Sequence, residues 1–305
     1  TNDGTSTTLP STALVTSDLQ FESPYSNYSL SFDGVDDYVD TNDSTLLSSG
    51  SWSISVWFKW STLQSGNNRA IISTRQGSVS LSSGFDLYLT NNDTILRART
   101  YSNGVGAEVI ITLANEGMTT DVWYHAYIVY DSGTLTFKIN NGDIFSGSST
   151  GNYTASSNSL IIGKWANGAN YHNGKIDEVA IWNTALTQAQ INQVYNNGYP
   201  ADLTSLSPVS WWRLGEDAFF VSNVVTIPNK ITGGPSGTGG GGDQSAFLVG
   251  DAPGSYANGL GNSLDVLDRV GDAPESTANS VSINMIPSNR ISYPAGYAPT
   301  QVNNV

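Results

Sequence analysis

Phe32-Asp33-Gly34-Val35-Asp36-Asp37-Tyr38-Val39 and Gly174-Lys175-Ile176-Asp177-Glu178-Val179-Ala180-Ile181-Trp182 lie about 140 residues apart. Between them runs Asp121-Val122-Trp123-Tyr124-His125-Ala126-Tyr127-Ile128-Val129-Tyr130. All three read as strands, because aromatic and β-branched residues fill short runs bounded by Gly and Asp. Their carboxylates sit at or beside the strand ends, where a turn or a bound ion uses them.

The chain around them repeats this pattern. Ile54, Val56, Phe58 and Trp60 alternate with Ser55, Trp57 and Lys59, the period of two that sends successive side chains to opposite faces of a strand. Leu135, Phe137 and Ile139 alternate likewise with Thr134, Thr136 and Lys138. Asn140-Asn141-Gly142-Asp143 then supplies a hairpin turn, since Asn and Gly tolerate positive φ. Asn91-Asn92-Asp93 is a second hairpin signal, between Phe85 to Leu89 and Thr94 to Thr100. Leu160-Ile161-Ile162 is a short apolar strand closed by Gly163. One helix is expected, over 187–197. Thr187 and Gln190 have capping-box spacing, Ala189, Ile191, Val194 and Tyr195 are placed to face a sheet, and Gly198 and Pro200 end the run.

Composition excludes several functions. The chain has 305 residues, a formal net charge of −14 and a pI near 4.2. Such a surface repels phosphate, so nucleic acid is not an expected partner. It disfavours anionic membranes and favours divalent cations. With no cysteine, disulfides, thiolate metal sites and Cys nucleophiles are excluded. Two histidines, His125 and His172, do not make a His-rich zinc site. No apolar run approaches the ~18 residues of a spanning helix, so membrane insertion is not expected. No signal peptide is visible, and a removed leader is one reading of a chain that opens on Thr1 rather than Met.

Taken in order, Ser29 to Val39, Trp52 to Trp60, Trp123 to His125, Leu135 to Gly142 and 174–196 resemble the laminin-G-like, concanavalin-A-like family of β-sandwiches. The resemblance spans residues 25–200. It implies an all-β, two-sheet antiparallel jelly-roll sandwich with one short helix. Similar domains often hold a structural Ca²⁺ where the first and last strands meet. Here the candidate ligands are Asp33, the carbonyl of Gly34, Asp36, Asp37 and Asp177, hard oxygen donors that suit calcium. The alternative is that these carboxylates cap turns by accepting backbone N–H bonds.

Tyr101, Tyr153, Trp165 and Tyr171 flank Gly/Asn-rich turns and are candidates for stacking on the C–H faces of surface glycans. The alternative is that they close the ends of the core, one polar edge wet. His125 reads as a packed strand histidine and His172 as a loop residue. The sequons at Asn27, Asn42, Asn92 and Asn152 carry glycans only in a glycosylating host. No enzyme is expected. Sandwich glycoside hydrolases place two carboxylates on one strand as Glu-x-Asp-x-x-Glu, and that string is absent. Asp177 and Glu178 are adjacent, so in a regular strand they point to opposite faces.

Residues 1–24 read as an N-terminal extended arm, 25–200 as the sandwich, 201–225 as a strand and linker, and 226–305 as an assembly tail. Within the tail, Val249-Gly250-Asp251-Ala252-Pro253 recurs as Val270-Gly271-Asp272-Ala273-Pro274, and nine of 21 positions repeat at a period of 21. The expected function is a non-catalytic structural or surface protein of a large assembly, a phage capsid, fibre or surface filament. The arm and tail join copies of the chain or other subunits, and the displayed sandwich binds surface glycans. The expected location is extracellular or on a virion surface. Two other readings stand beside this one, a secreted bacterial carbohydrate-binding adhesin and a glycoside hydrolase.

Overall fold

In a computed structural model of the chain, the alternating run at 52–60 is a strand whose nine residues are all buried. The structure describes residues 26, 28–47, 50–61, 67–77, 83–90, 92–102, 106–149, 153–168, 170–214, 219–221, 224–240, 248–250 and 264–265. The expected arm 1–24 and the second copy of the 21-residue repeat lie outside them.

In chain order the strands are β1 (Ser29–Asp33), β2 (Tyr38–Asp40), β3 (Trp52–Trp60), β4 (Arg69–Ser73), β5 (Ser83–Leu89), β6 (Ile95–Ser102), β7 (Glu108–Thr112), β8 (Tyr124–Asp131), β9 (Thr134–Ile139), β10 (Ile144–Ser148), β11 (Ile161–Ile162) and β12 (Asn173–Trp182). Helix α1 (Gln188–Tyr195) and β13 (Ser210–Trp212) follow. Two antiparallel sheets result. The first runs β10-β9-β8-β3-β12-β1 and continues with Leu248–Gly250 and Leu264–Asp265, while β13 also pairs with β12. The second runs Phe219–Val221, Val224–Ile227, Gly237–Gly240, β2, β11, β4, β5, β6, β7. This is the expected all-β sandwich with one short helix.

The core lies between the sheets. Trp52, Ile54, Val56, Phe58 and Trp60 of β3 face Phe85, Leu87 and Leu89 of β5 across one continuous apolar cluster. Trp52 alone meets Phe85 at 5.2 Å and Tyr130 and Tyr153 at 5.5 Å. Each large apolar side chain buried here contributes roughly 1.5–3 kcal/mol relative to exposure.

The other face of β3 is buried as well, which alternation alone does not predict. A second cluster of Tyr127, Val129, Ala180, Trp182, Leu186, Ile191, Val194, Leu203 and Trp211 covers the outside of the first sheet. Helix α1 supplies its lid. The capping box forms as expected, with Thr187 N–H donating to Gln190 Oε1 at 2.9 Å. Ile191 and Val194 face the sheet, and Tyr195 stacks on Trp57 at 6.1 Å. Ala189, expected on that face, points to solvent instead.

The sandwich also extends past residue 200. The glycine-rich opening of the expected tail is in part a strand, Gly237–Gly240, seated between β2 and Val224–Ile227. Glycine serves close approach there, because a Cβ on Gly237 would lie 2.6 Å from Val39 Cγ1. Leu248–Gly250, the start of the first repeat copy, pairs with β1 of the same chain. The tail therefore begins inside the sandwich, and the boundaries expected near 200 and 225 do not divide the structure.

Both histidines are buried and neutral. His125 Nε2 lies 2.8 Å from Ser55 Oγ, and His172 Nε2 lies 3.0 Å from the Lys59 carbonyl. Burial pushes their pKa values down to about 3 and about 4. The unfolded chain, with histidines near 6.5, binds more protons than the folded one between those values and 6.5. Stability contributed by the neutral rings is therefore present above pH 6.5 and lost as pH falls toward 4, at up to about 1.4 kcal/mol per pH unit for each ring. We expect the stability difference between wild type and His125→Gln, from urea unfolding at pH 7.0, 5.5 and 4.5, to shrink as pH falls. A difference constant with pH would show that His125 is not held neutral by burial.

Candidate functional site

Because α1 covers the outside of the first sheet, the outer face of the second sheet is the broad strand surface to search for a site. Alternation sorts its side chains. Phe85, Leu87, Leu89, Leu96 and Ala98 point into the core, so Asp86, Tyr88, Arg97, Arg99 and Tyr101 point outward. Pairing then aligns them across strands. Ser73 of β4 lies opposite Asp86 of β5, Asp86 opposite Arg99 of β6, and Arg99 opposite Glu108 of β7. That is a polar row four strands wide. Tyr88 and Arg97 form a second row beside it.

Aromatic rings and guanidinium groups interleave over these rows. Arg75 lies 4.9 Å from the ring centres of both Tyr101 and Trp165. Arg99 lies 5.0 Å from Tyr101 and Arg97 5.8 Å from Tyr88. Arg97 Nη1 donates to Tyr88 Oη at 3.2 Å, and Tyr88 meets Trp165 edge-on at 5.7 Å. Trp165 is carried by the hairpin 164–171, which is tied to the sheet by Ala166 N–H donating to Ser73 Oγ at 3.0 Å and Asn167 Nδ2 donating to the Gly77 carbonyl at 2.6 Å. Each such cation–π contact contributes about 0.5–2 kcal/mol, more as water is excluded.

The ion pairs on this face are loose. Arg75 Nη1 is 3.7 Å from Asp86 Oδ2, and Arg97 Nε and Arg99 Nε share Glu108 Oε1 at 3.5 and 3.8 Å. The Nε atoms of all three arginines, Trp165 Nε1, Asp86 Oδ2 and Glu108 Oε1 are buried without a hydrogen-bond partner. Asp86 is completely buried, and burial raises its carboxyl to about 6 against the opposing pull of the Ser73 hydroxyl and Arg75. These atoms are enclosed by the stacked rings and guanidinium groups, and the accessible part of the face is the outer ends of Arg97, Arg99 and Glu108.

Of the four aromatic residues singled out in the sequence, the structure brings two together here, Tyr101 and Trp165. Tyr101 is buried under Arg75 and Arg99 on the outer face, whereas Tyr153, equally buried, belongs to the core between the sheets, its N–H donating to Tyr130 Oη at 2.7 Å. Tyr171 sits half-buried at the base of the hairpin beside Lys164. Arg75, Asp86, Tyr88, Arg97, Arg99 and Glu108 went unnoticed in the sequence. A signal was there: Arg97-x-Arg99-x-Tyr101 places three side chains on one face of a strand in a chain with only 12 Lys and Arg.

The acidic candidates divide. Asp33, Asp36 and Asp37 converge with carboxylate oxygens within 4.8 Å of one another. Gly34, at φ 81°, makes the turn that folds them together. Asp33 Oδ1 accepts from the Val35 and Asp36 N–H groups at 2.7 and 3.3 Å, and Asp37 Oδ2 accepts from the Asp33 N–H at 3.0 Å. Burial, then the charges of Asp33 and Asp36, raise the Asp37 carboxyl to about 7. The donor set is chemically suited to a hard divalent cation, whose charge would let Asp37 ionise. Asp177 is not part of it. Asp33 pairs with Asn173, so Asp177 lies four residues along β12, about 13 Å away. It is completely buried and accepts from Ser26 Oγ at 2.8 Å.

A family model described as the concanavalin A-like lectin/glucanases superfamily, Laminin_G_3, matches residues 33–192, just over half of the chain. Among solved structures, a Bacteroides ovatus protein assigned provisionally to carbohydrate binding is 18% identical with a TM-score of 0.53. The match covers 74% of this chain and 61% of that protein. A Ruminococcus gnavus IT-sialidase CBM40 is 12% identical with a TM-score of 0.44, over 55% of this chain and 96% of that one. Tailspike protein 2 of an Escherichia coli O157:H7 bacteriophage is 18% identical with a TM-score of 0.40, over 62% and 30%. At these identities the likeness is one of fold alone. No curated protein sequence matches the chain.

Proposed function

Since the chain belongs to the concanavalin A-like lectin/glucanases superfamily, we propose that it is a non-catalytic glycan-binding sandwich and that the outer face of its second sheet is the binding surface. One observation carries the reading: the partly exposed Trp165, Arg97 and Arg99 stand on a single strand face, over the buried Tyr88, Tyr101 and Arg75 that hold them. Trp165, the partly exposed ring of the three, offers an apolar surface to a sugar ring, while the accessible guanidinium groups bind its polar substituents. The absence of catalysis is part of the proposal. Asp86 is closed to solvent and accepts from the Ser73 hydroxyl, which leaves Glu108 as the accessible carboxylate of the face, whereas hydrolysis needs one carboxylate free to attack and another to give a proton. On a glycan array, Trp165→Ala should lose roughly tenfold in affinity for the best ligand, and incubation with that ligand should release no reducing ends. Binding unchanged by Trp165→Ala would place the site elsewhere.

We also propose Ca²⁺ at Asp33, Asp36 and Asp37. Support comes from their convergence and from the raised Asp37 carboxyl. Calcium in excess of its Kd should then raise the melting temperature by mass action. Asp36→Asn should abolish that rise. A melting temperature indifferent to Ca²⁺ and to chelator ends the proposal.

The wider role proposed is display from a large assembly on a virion or cell surface, with residues 1–24 and the tail after 265 joining subunits. The support is the repeat. Its first copy begins with a strand that adds to a sheet edge of its own chain, and its second copy opens on the same five residues, a means of adding to a neighbour's edge. Deletion of 266–305 should leave the circular dichroism spectrum intact and reduce the sedimenting species to monomer. Deletion from 225, which removes strands of the second sheet, should unfold the sandwich. Unaltered assembly of the first truncation would refute the role given to the tail.

A further inference from the structure

Three of the chain's twelve basic residues stand together on the proposed face, in a molecule of net charge −14. A neutral glycan does not call for that concentration. Hydroxyl recognition is served by amides and carboxylates, which this chain has in abundance. Arginine is instead the residue whose planar fork of donors matches a carboxylate.

The existing carboxylates leave that fork underused. Arg75, Arg97 and Arg99 carry three positive charges against two from Asp86 and Glu108. Asp86, raised to about 6, is more readily protonated than an ordinary aspartate. All three ion pairs are 3.5 Å or longer, beyond the hydrogen-bonding range of N–H to oxygen. Glu108 is stretched between two guanidinium groups and satisfies neither, since both Nε atoms remain without a hydrogen bond. The Arg97 and Arg99 side chains keep 26% and 24% of their surface accessible, and Glu108 keeps 32%. Their outer ends are therefore within reach of a ligand. Arg97 and Arg99 also alternate along one strand, about 7 Å apart, a spacing within the span of a single sugar residue and its substituent. Trp165, half-buried, meets Tyr88, over which Arg97 lies, so its partly open surface stands one ring away from Arg97.

From this geometry we infer that the face is selective for glycans bearing a carboxylate, which Arg97 and Arg99 bind in the place Glu108 now imperfectly fills, with the sugar ring against Trp165. The inference rests on the glycan-binding reading above and narrows it to a substrate class. Glu108 then acts as an internal competitor for the guanidinium pair. The net negative charge of the rest of the chain repels polyanions, so any preference for acidic glycans must arise at this local cluster.

The test is affinity electrophoresis of the full chain through gels containing polygalacturonate, a neutral galactan or dextran sulfate, at 0.15 M salt by design. Wild type should be retarded most by polygalacturonate. Arg99→Gln should lower the preference for polygalacturonate over galactan by roughly tenfold, the loss of charge-assisted hydrogen bonds. Glu108→Gln should raise that preference several-fold, a gain that mere structural damage does not produce. Melting curves of both variants show that the fold is retained. Equal retardation by galactan and polygalacturonate would overturn the acidic preference and leave glycan binding standing. Stronger retardation by dextran sulfate, lost in Arg99→Gln, would overturn the carboxylate in favour of a sulfate. Retardation by none of the three, with array binding also absent, would overturn the glycan reading itself.

Discussion

The structure depends on a bulge in β12 at Asp177 and Glu178. The register against β3 shifts there, between Asp177 opposite Trp57 and Ala180 opposite Ser55. Glu178 takes φ 48°, a left-handed conformation that costs a non-glycine residue about 1–3 kcal/mol. Buried partners offset the cost. The Glu178 carboxylate accepts from Trp211 Nε1 at 2.6 Å and from Arg213 Nε at 3.0 Å. Asp177 Oδ1 accepts from the Glu178 N–H at 2.8 Å, and Asp177 Oδ2 takes the Ser26 hydroxyl. Two adjacent carboxylates, nearly inaccessible to water, persist only because each is bonded. Removing Arg213 would strand a buried charge.

The bulge decides which strands share the first sheet. On one edge β12 stays with β3 throughout. On the other it pairs with β1 before the bulge and with β13 after it. The handover admits Trp211 and Trp212 on opposite sides of the sheet, Trp212 into the main core and Trp211 into the cluster beneath α1. The outside of the first sheet is closed by that cluster. The outer face of the second sheet has no helix over it among the described residues and carries instead the interleaved tyrosines, tryptophan and arginines.

Charge distribution adds a second level. The chain is acidic overall, yet its outer second-sheet face is locally basic, with guanidinium groups stacked on rings that restrict their motion. Held this way, arginine forfeits little conformational entropy when a ligand arrives. The acidic turn at Asp33 to Asp37 lies in the connection between β1 of one sheet and β2 of the other, so an ion there would tie the two layers together.

Much of the fold was legible in local pattern. Alternation at 52–60 and 134–139, the Asn-Gly turn and the Thr187–Gln190 capping box are short-range effects, settled by backbone sterics and neighbouring residues, and each appears where the sequence placed it. The convergence of Asp33, Asp36 and Asp37 was legible for the same reason, since five residues of one turn contain it. Asp177 was misplaced beside them because its position depends on the register of β12, which no local rule sets. The candidate face was illegible as a unit. Ser73, Asp86, Arg99 and Glu108 come from four strands, and pairing alone makes them neighbours. Tyr101 and Tyr153 look alike in sequence, each an aromatic beside a polar turn. Tertiary structure sent one to the outer face and the other to the core, because strand parity and the packing around Trp52 are properties of the assembled sheets. The glycines at 237–240 taught the same lesson: their composition reads as flexibility, but against β2 it is the absence of a side chain that lets two strands meet.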